Sequence, residues 1–317
     1  MKIVFFGTPD FAIPTLQSLI DSKHTVLAVV TQPDKPVGRN GKVVFSPVKT
    51  LALKHNIPVL QYEKIRRDGV EELKSLNADV FVTAAYGQIL SKDILEASKF
   101  GVFNVHGSLL PKYRGAAPIQ WAIINGEKTT GITILKSDVG MDDGNIILSK
   151  SVDIKDGETA GELFDRLKVV GAECLMEALT QLENGTITYT PQNHSEATTC
   201  KMLKKELCKI DFNKSTNEII NLILGLNPWP VAEIYFKEGR FKVYKAQNAN
   251  EKIKSFNINP NAKNGEVVVA SPKQGLIIKC DNGFVELTSI QAENGKIMDA
   301  KSLLNGKKIE VGQVVNE

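Results

Sequence analysis

The chain has 317 residues, 42% of them apolar and 24% charged, with a net charge of +3. That length exceeds one typical domain and predicts two. The composition excludes a disordered chain, and no apolar run approaches the ~20 residues that a membrane-spanning helix needs. The opening MKIVFFGTPD breaks too abruptly at Gly7 for a secretory leader and reads as a first buried strand. Cys174, Cys200, Cys208 and Cys280 form no CxxC pair. This argues against a zinc site or a disulfide framework and for a reducing compartment, so the expected location is the cytoplasm.

The first half alternates strand-like and helix-like segments. KIVFF (2–6) is a short buried strand. DFAIPTLQSLID (10–21) has helical spacing of Phe11, Leu16, Leu19 and Ile20, with Asp10 as the expected cap. TVLAVVT (25–31) is a strand. SPVKTLALKHN (46–56) is a helix with Ser46 as cap and Pro47 in its first turn. ADVFVTAAY (78–86) and GVFNVH (101–106) are strands, and APIQWAIING (117–126) is a helix closed by Gly126. TGITILK (130–136) and NIILSKSVDI (145–154) are strands around a polar loop, followed by a long helix over 160–185. This alternation predicts an α/β domain with a mostly parallel sheet covered on both faces.

Near Gly185 the texture changes. Residues 190–206 carry neither periodicity and read as a linker. STNEIINLILGLN (215–227) reads as a helix. The short strands AEIYFK, RFKVYKA, GEVVVA, GLIIKC and FVELTSIQ follow, separated by Gly, Asn and Pro turns. They suggest a small C-terminal β-barrel of the oligonucleotide-binding (OB-like) type. The expected organisation is therefore 1–189 as catalytic domain, 190–206 as linker and 207–317 as second domain. From Lys205 onward there are 16 basic and 13 acidic residues, so all of the net charge lies in this part. A mildly basic surface is compatible with a polyanionic partner and equally with an ordinary solvated one.

On GVFNVH the side chains alternate, so Val102, Asn104 and His106 share one face and Phe103 and Val105 the other. Two polar groups thus converge at the carboxyl end of a strand, where parallel sheets bind ligands. Alternation alone would equally suit a capped strand end. The Gly107–Ser108 step favours a ligand, because glycine lets one approach the backbone closely. DVGMDDG (138–144) brackets aspartates between glycines. It could be a plain polar connection. Its spacing does not match a calcium-binding EF-hand loop. A carboxylate delivered beside His106 is the more economical role.

An Asn, a His and an Asp without a nucleophilic Ser or Cys suit acyl transfer to an incoming amine. Asn104 and His106 can donate to the oxyanion of a tetrahedral intermediate. Asp142 can hold His106 in the right state, or accept or relay the amine proton. An α-amine titrates at about 7.7–8.0, so a useful fraction is already neutral at pH 7.

NVHGSLLPKYRGAAPIQ (104–120), DVGMDDG, FFGTPDFA (5–12), TQPDKPVGRNGK (31–42), AAYGQIL (84–90) and NPWP (227–230) run in order along essentially the whole chain. Together they resemble the methionyl-tRNA formyltransferase family, within the folate-dependent formyltransferases. The resemblance implies transfer of a formyl group from 10-formyltetrahydrofolate to the α-amine of methionyl initiator tRNA. It maps the family's catalytic triad onto Asn104, His106 and Asp142, and its folate-contacting turn onto Ser108, Leu109, Leu110 and Pro111. It implies an N-terminal Rossmann-like domain and a C-terminal tRNA-binding barrel. No metal, membrane or obligate protein partner is expected, and nothing such as an exposed heptad argues against a monomer. FGTPDF is not a GxGxxG fingerprint, and no nicotinamide site is read from it.

The stretch from Lys35 to Lys49 is long for a strand-to-helix connection. It carries Lys35, Arg39, Lys42 and Lys49, and read plainly it is a solvated flexible loop. The resemblance implies that it meets the acceptor end of the tRNA, with Arg39 as its key arginine and Lys35 and Lys42 beside it. Lys201, Lys204 and Lys205 in the linker could add phosphate contacts or be a solvated helix start. Trp229 in NPWP reads as domain packing more than as a base-stacking platform. A sugar-nucleotide formyltransferase would share the triad without needing the basic loop. A glycinamide-ribonucleotide formyltransferase would not need residues 207–317.

Overall fold

The structure is a computed structural model and describes residues 1–37, 42–306 and 309–316. In chain order the first elements are β1 (Lys2–Gly7), α1 (Ile13–Ile20), β2 (Thr25–Thr31), β3 (Lys35–Val37), β4 (Lys42–Val44), α2 (Pro47–Lys54) and β5 (Val59–Gln61). Then come α3 (Ile65–Asp68), α4 (Val70–Ser75), β6 (Val80–Ala84), α5 (Lys92–Leu95) and β7 (Val102–His106). These are followed by β8 (Arg114–Gly115), α6 (Pro118–Ile124), β9 (Thr129–Lys136), β10 (Asn145–Asp153), α7 (Ala160–Glu183) and β11 (Thr199–Cys200).

Seven of these strands form one sheet in the order β10-β9-β7-β6-β1-β2-β5. The pairs β1–β2, β1–β6, β2–β5 and β6–β7 are parallel, and β9 is antiparallel to both β7 and β10. The α/β class with a mostly parallel sheet is therefore as expected. β1 is hidden on both faces, with Ile3 through Phe6 all fully buried, as an interior parallel strand requires. On one face Val4, Phe6, Val30, Phe81 and Tyr86 share a core with Ile65 and Leu73. The Phe6 ring lies 5.2 Å from Phe81 and 5.5 Å from Tyr86, within the usual range for favourable aromatic pairs.

Helix ends follow local chemistry. Ser46 accepts a hydrogen bond from the Lys49 amide at 3.1 Å, with Pro47 in the first turn. Asp10 does not cap α1: it opens a short 3₁₀ turn, and the helix starts only at Ile13. The reason is Pro14, whose missing N–H and fixed φ suit the first helical turn. The stretch after Asp34 is not a bare loop, because β3 and β4 pair as a small antiparallel hairpin.

The later elements are α8 (Thr216–Gly225), β12 (Ala232–Phe236), β13 (Gly239–Asn248), β14 (Val267–Ser271), β15 (Gly275–Cys280), β16 (Gly283–Ala292), β17 (Met298–Asp299) and α9 (Ala300–Leu303). Helix α8 starts in a reciprocal capping box between Ser215 and Glu218. The strands pair antiparallel in the order β12-β13-β16-β15-β14, with β17 added to β16. The β13–β16 ladder slips at two points, and such bulges bend strands toward a barrel-like form. Trp229 is 67% exposed and so is not packed.

The chain divides into two compact units. The first holds residues 1–118, 129–153 and 164–200, and the second holds 119–128, 154–163 and 201–317. Among the described residues, no helix is long and apolar enough to cross a bilayer. No group of three or more His, Cys, Asp or Glu residues among the described residues could hold a metal ion.

Candidate active site

The site is built at the carboxyl ends of β6 and β7, inside the first compact unit. Thr83 and Asn104 lie opposite each other across this parallel pair. The Thr83 hydroxyl donates to Asn104 Oδ1 at 2.8 Å. That bond fixes the amide, because only its oxygen can accept, and turns Nδ2 toward the 138–144 loop. There Asn104 Nδ2 donates to Asp142 Oδ1 at 3.3 Å.

His106, two residues on and 6% exposed, ends the same strand. Its Nε2 lies 2.9 Å from the Tyr113 carbonyl. A carbonyl only accepts, so Nε2 carries a hydrogen there. Nδ1 is thereby the nitrogen that faces Asp142, at 3.7 Å from Oδ1. The other carboxylate oxygen, Oδ2, accepts the Gly115 N–H at 2.8 Å. Asp142 itself has a φ of +50°, a left-handed conformation that costs most non-glycine residues. The structure thus brings Asn104, His106 and Asp142 together around one carboxylate.

The 108–111 turn is pinned from below. The Ser108 hydroxyl is fully buried and donates to the Lys112 carbonyl at 2.7 Å. Thr133 on β9 donates to the Ser108 carbonyl at 2.8 Å and accepts from the Leu110 amide at 3.1 Å. The side chain of Leu109 lies over Gly131, where a Cβ would come within 2.6 Å of it. The hydroxyl of Ser108 is therefore used inside the turn. Leu110 is buried, and Leu109 and Pro111 are partly exposed at its rim.

The basic residues of the 35–49 stretch separate into different environments. Lys35 is exposed on β3, and the backbone of Lys42 lies on β4. Arg39 lies outside the described residues. Lys49 is no loop cation. Its side chain is 13% exposed, bonds Asp34, reaches Gln61 Oε1 at 2.9 Å and sits 4.2 Å over the Phe45 ring. Partial burial pushes the Asp34 carboxyl up, but the hydrogen bonds from Lys49 and Gln61 outweigh it and hold it below its ordinary value.

Sequence reasoning missed Thr83, Arg114, Gly115 and Gln192. Thr83 sits in an apolar strand, and only its cross-strand register gives it a role. Gly115 has a φ of +115°, and a Cβ there would meet the Cys200 carbonyl at 2.4 Å. This close approach of β8 to β11 is what aims its N–H at Asp142.

A mostly parallel sheet with an Asn, a His and an Asp meeting at its carboxyl edge, and no serine or cysteine nucleophile among them, describes a group-transfer site for an outside nucleophile. The formyl transferase family model matches residues 1–179, and the model of the formyl transferase C-terminal domain matches residues 202–308. The chain belongs to the formyl transferase family. It is 44% identical over 314 residues to a methionyl-tRNA formyltransferase of Ruminiclostridium cellulolyticum, covering 99% of both chains. It is 46% identical over 320 residues to one of Lachnospira eligens, covering 100% of both. The solved structure of WlaRD, a sugar 3N-formyl transferase, shares the fold with a TM-score of 0.65 at 22% identity, over 90% of this chain and 97% of that one.

Proposed function

We infer that this protein transfers the formyl group of 10-formyltetrahydrofolate to the free α-amino group of methionyl initiator tRNA, giving N-formylmethionyl-tRNA. The observation that carries the chemistry is the convergence of Asn104 Nδ2 and His106 Nδ1 on Asp142 Oδ1, at 3.3 and 3.7 Å. Full-length identity to relatives named for this acceptor supports the substrate.

In the proposed mechanism the amine nitrogen attacks the formyl carbon. The C–N bond to the amine forms, and the carbonyl oxygen becomes an oxyanion. Asn104 donates to it through Nδ2, and His106 donates through Nδ1–H in its imidazolium form, which keeps the Nε2–H on the Tyr113 carbonyl and pairs with the Asp142 carboxylate. A site of this kind is worth most where donors are fixed before the charge develops. Thr83 and the Tyr113 carbonyl supply that fixing. Asp142, held by the Gly115 N–H, takes the proton that the ammonium loses. Collapse of the intermediate breaks the bond to N10 of the folate, and the proton passes to that nitrogen. Ser108, Leu109, Leu110 and Pro111 form the turn beside which the folate binds, and no metal takes part.

Lys35, Arg39 and Lys42 meet the acceptor end of the tRNA. The domain following the 190–206 linker, residues 207–317, adds phosphate contacts to those of the catalytic domain, residues 1–189. The protein works as a monomer in the cytoplasm. Its four cysteines support a reducing compartment, since all are buried and unpaired.

The acceptor is tested by offering the protein 10-formyltetrahydrofolate with either charged initiator tRNA or a dTDP-linked amino sugar. Formyl-methionine on the tRNA is the expected product. Formylation of the sugar nucleotide alone would refute the reading.

A further inference from the structure

The polar stretch after α7 reaches back to the active site. Thr190 and Ile146 exchange backbone hydrogen bonds in both directions, each 2.8 Å, which ties this stretch to the start of β10. Two residues further, Gln192 is only 6% exposed. Its Nε2 donates to the Asp142 carbonyl at 2.8 Å and to the Gly144 carbonyl at 2.7 Å. Its Oε1 accepts from Arg114 Nε at 3.1 Å and from Nη2 at 2.6 Å. Carbonyls only accept and a guanidinium only donates, so the amide has a single compatible orientation. Every hydrogen-bonding group of this buried side chain is used.

Each of the two segments it joins supplies one side of the Asp142 environment. The 138–144 loop carries Asp142 itself, and Arg114 precedes Gly115, whose N–H holds Asp142 Oδ2. The loop needs such a tie. Val139 and Met141, beside the aspartate, are 66% and 64% exposed, and Asp142 has the left-handed φ of +50°. Nothing in the loop's own apolar burial would hold it there.

We propose that Gln192 is a positioning residue for Asp142, bracing the 138–144 loop against the Arg114–Gly115 strand so that the carboxylate keeps its place beside Asn104 and His106. This rests on the catalytic reading of Asp142 given above. A residue of this type touches no substrate. Its removal misplaces a reacting group, and a displacement of about 1 Å can cost on the order of 10²-fold in rate.

The test replaces Gln192 by a side chain of similar length without donors or acceptors, Gln192→Met, in the full chain. Turnover of 10-formyltetrahydrofolate with methionyl initiator tRNA should fall by about 10- to 100-fold in kcat, with a much smaller change in KM for the folate. Hydrogen exchange at the Gly115 amide should speed up, while amides of β1, β6 and β7 keep their protection. The double variant Asp142→Asn, Gln192→Met should be no slower than Asp142→Asn alone, because a residue acting through Asp142 has nothing left to position. Wild-type kcat in Gln192→Met while Asp142→Asn is slow, or an unchanged Gly115 amide, would overturn the proposal. If Gln192→Met does not fold, Arg114→Met removes the anchor on Oε1, together with the exposed Arg114 contact to His194 Nδ1 at 3.3 Å, and should still lower kcat; wild-type kcat there, with Asp142→Asn slow, overturns the proposal as well. Wild-type turnover in Asp142→Asn together with faster Gly115 exchange in Gln192→Met would keep the brace and remove the catalytic role of Asp142, so the two claims fail separately.

Discussion

His106 Nδ1 lies 3.7 Å from Asp142 Oδ1, beyond a direct hydrogen bond and within reach of an ion pair. The same oxygen accepts from Asn104 Nδ2 at 3.3 Å. The Asn104 amide and the His106 ring thus flank one carboxylate oxygen from two sides, the amide within hydrogen-bond distance and the ring beyond it.

His106→Ala and Asn104→Ala should each cut turnover by about 10²–10³, the scale for losing one oxyanion donor. Both proteins should fold, because each change removes one side chain at the end of a strand whose ladder is intact. Steady-state kinetics beside a thermal melt checks this. Near-wild-type turnover in folded His106→Ala would contradict the oxyanion assignment.

Lys49→Met should destabilise the protein, because it leaves the partly buried Asp34 carboxylate without its cation; a loss of about 1.5–3 kcal/mol is expected for such a charged hydrogen bond. The effect depends on pH with a definite sign. Asp34 is held below its ordinary value of 3.8 in the folded protein. Its contribution is therefore complete above that value and disappears as the pH falls through the lowered one. Urea titrations of both proteins should diverge at neutral pH and converge below about pH 4. A gap that persists in acid would mean that the loss is packing against Phe45.

Arg39→Ala should weaken formylation of tRNA strongly while folate binding, measured separately by fluorescence or calorimetry, stays unchanged. The reason is that the stretch carrying Lys35, Arg39 and Lys42 serves the acceptor side. Equal weakening of both ligands would mean that this stretch shapes the folate pocket instead.

Lys245 is exposed on β13, with Lys242 half-buried on the same strand. Reversing both charges should weaken initiator-tRNA binding at low salt far more than at high salt. Removing one lysine–phosphate interaction should flatten the log–log salt dependence by about 0.7–0.9. An unchanged slope would show that β13 does not face the nucleic acid.

The sequence made some of these residues visible and hid others for physical reasons. Asn104 and His106 stood out because strand alternation is local, and it put two polar groups on one face of an otherwise apolar run. Asp142 was legible from the glycines around it, though its left-handed φ was not. β5 escaped because three residues are too few to carry a period. Thr83 and Gln192 depend on partners 21 and 50 residues away, and no local pattern encodes such a register. Gln192 was further masked by its aperiodic, polar surroundings, which read as linker. Lys49 shared the charge of its loop in sequence, and only Asp34, Gln61 and Phe45 around it reveal a structural cation.

The most direct test of the account is Asp142→Asn. The substitution keeps the shape and an oxygen for the Gly115 N–H, and removes the charge that takes the amine proton. Formylation of methionyl initiator tRNA should fall by about 10²–10⁴, the range for losing a general base, with 10-formyltetrahydrofolate still bound at close to wild-type affinity. Wild-type formylation by folded Asp142→Asn would contradict the account.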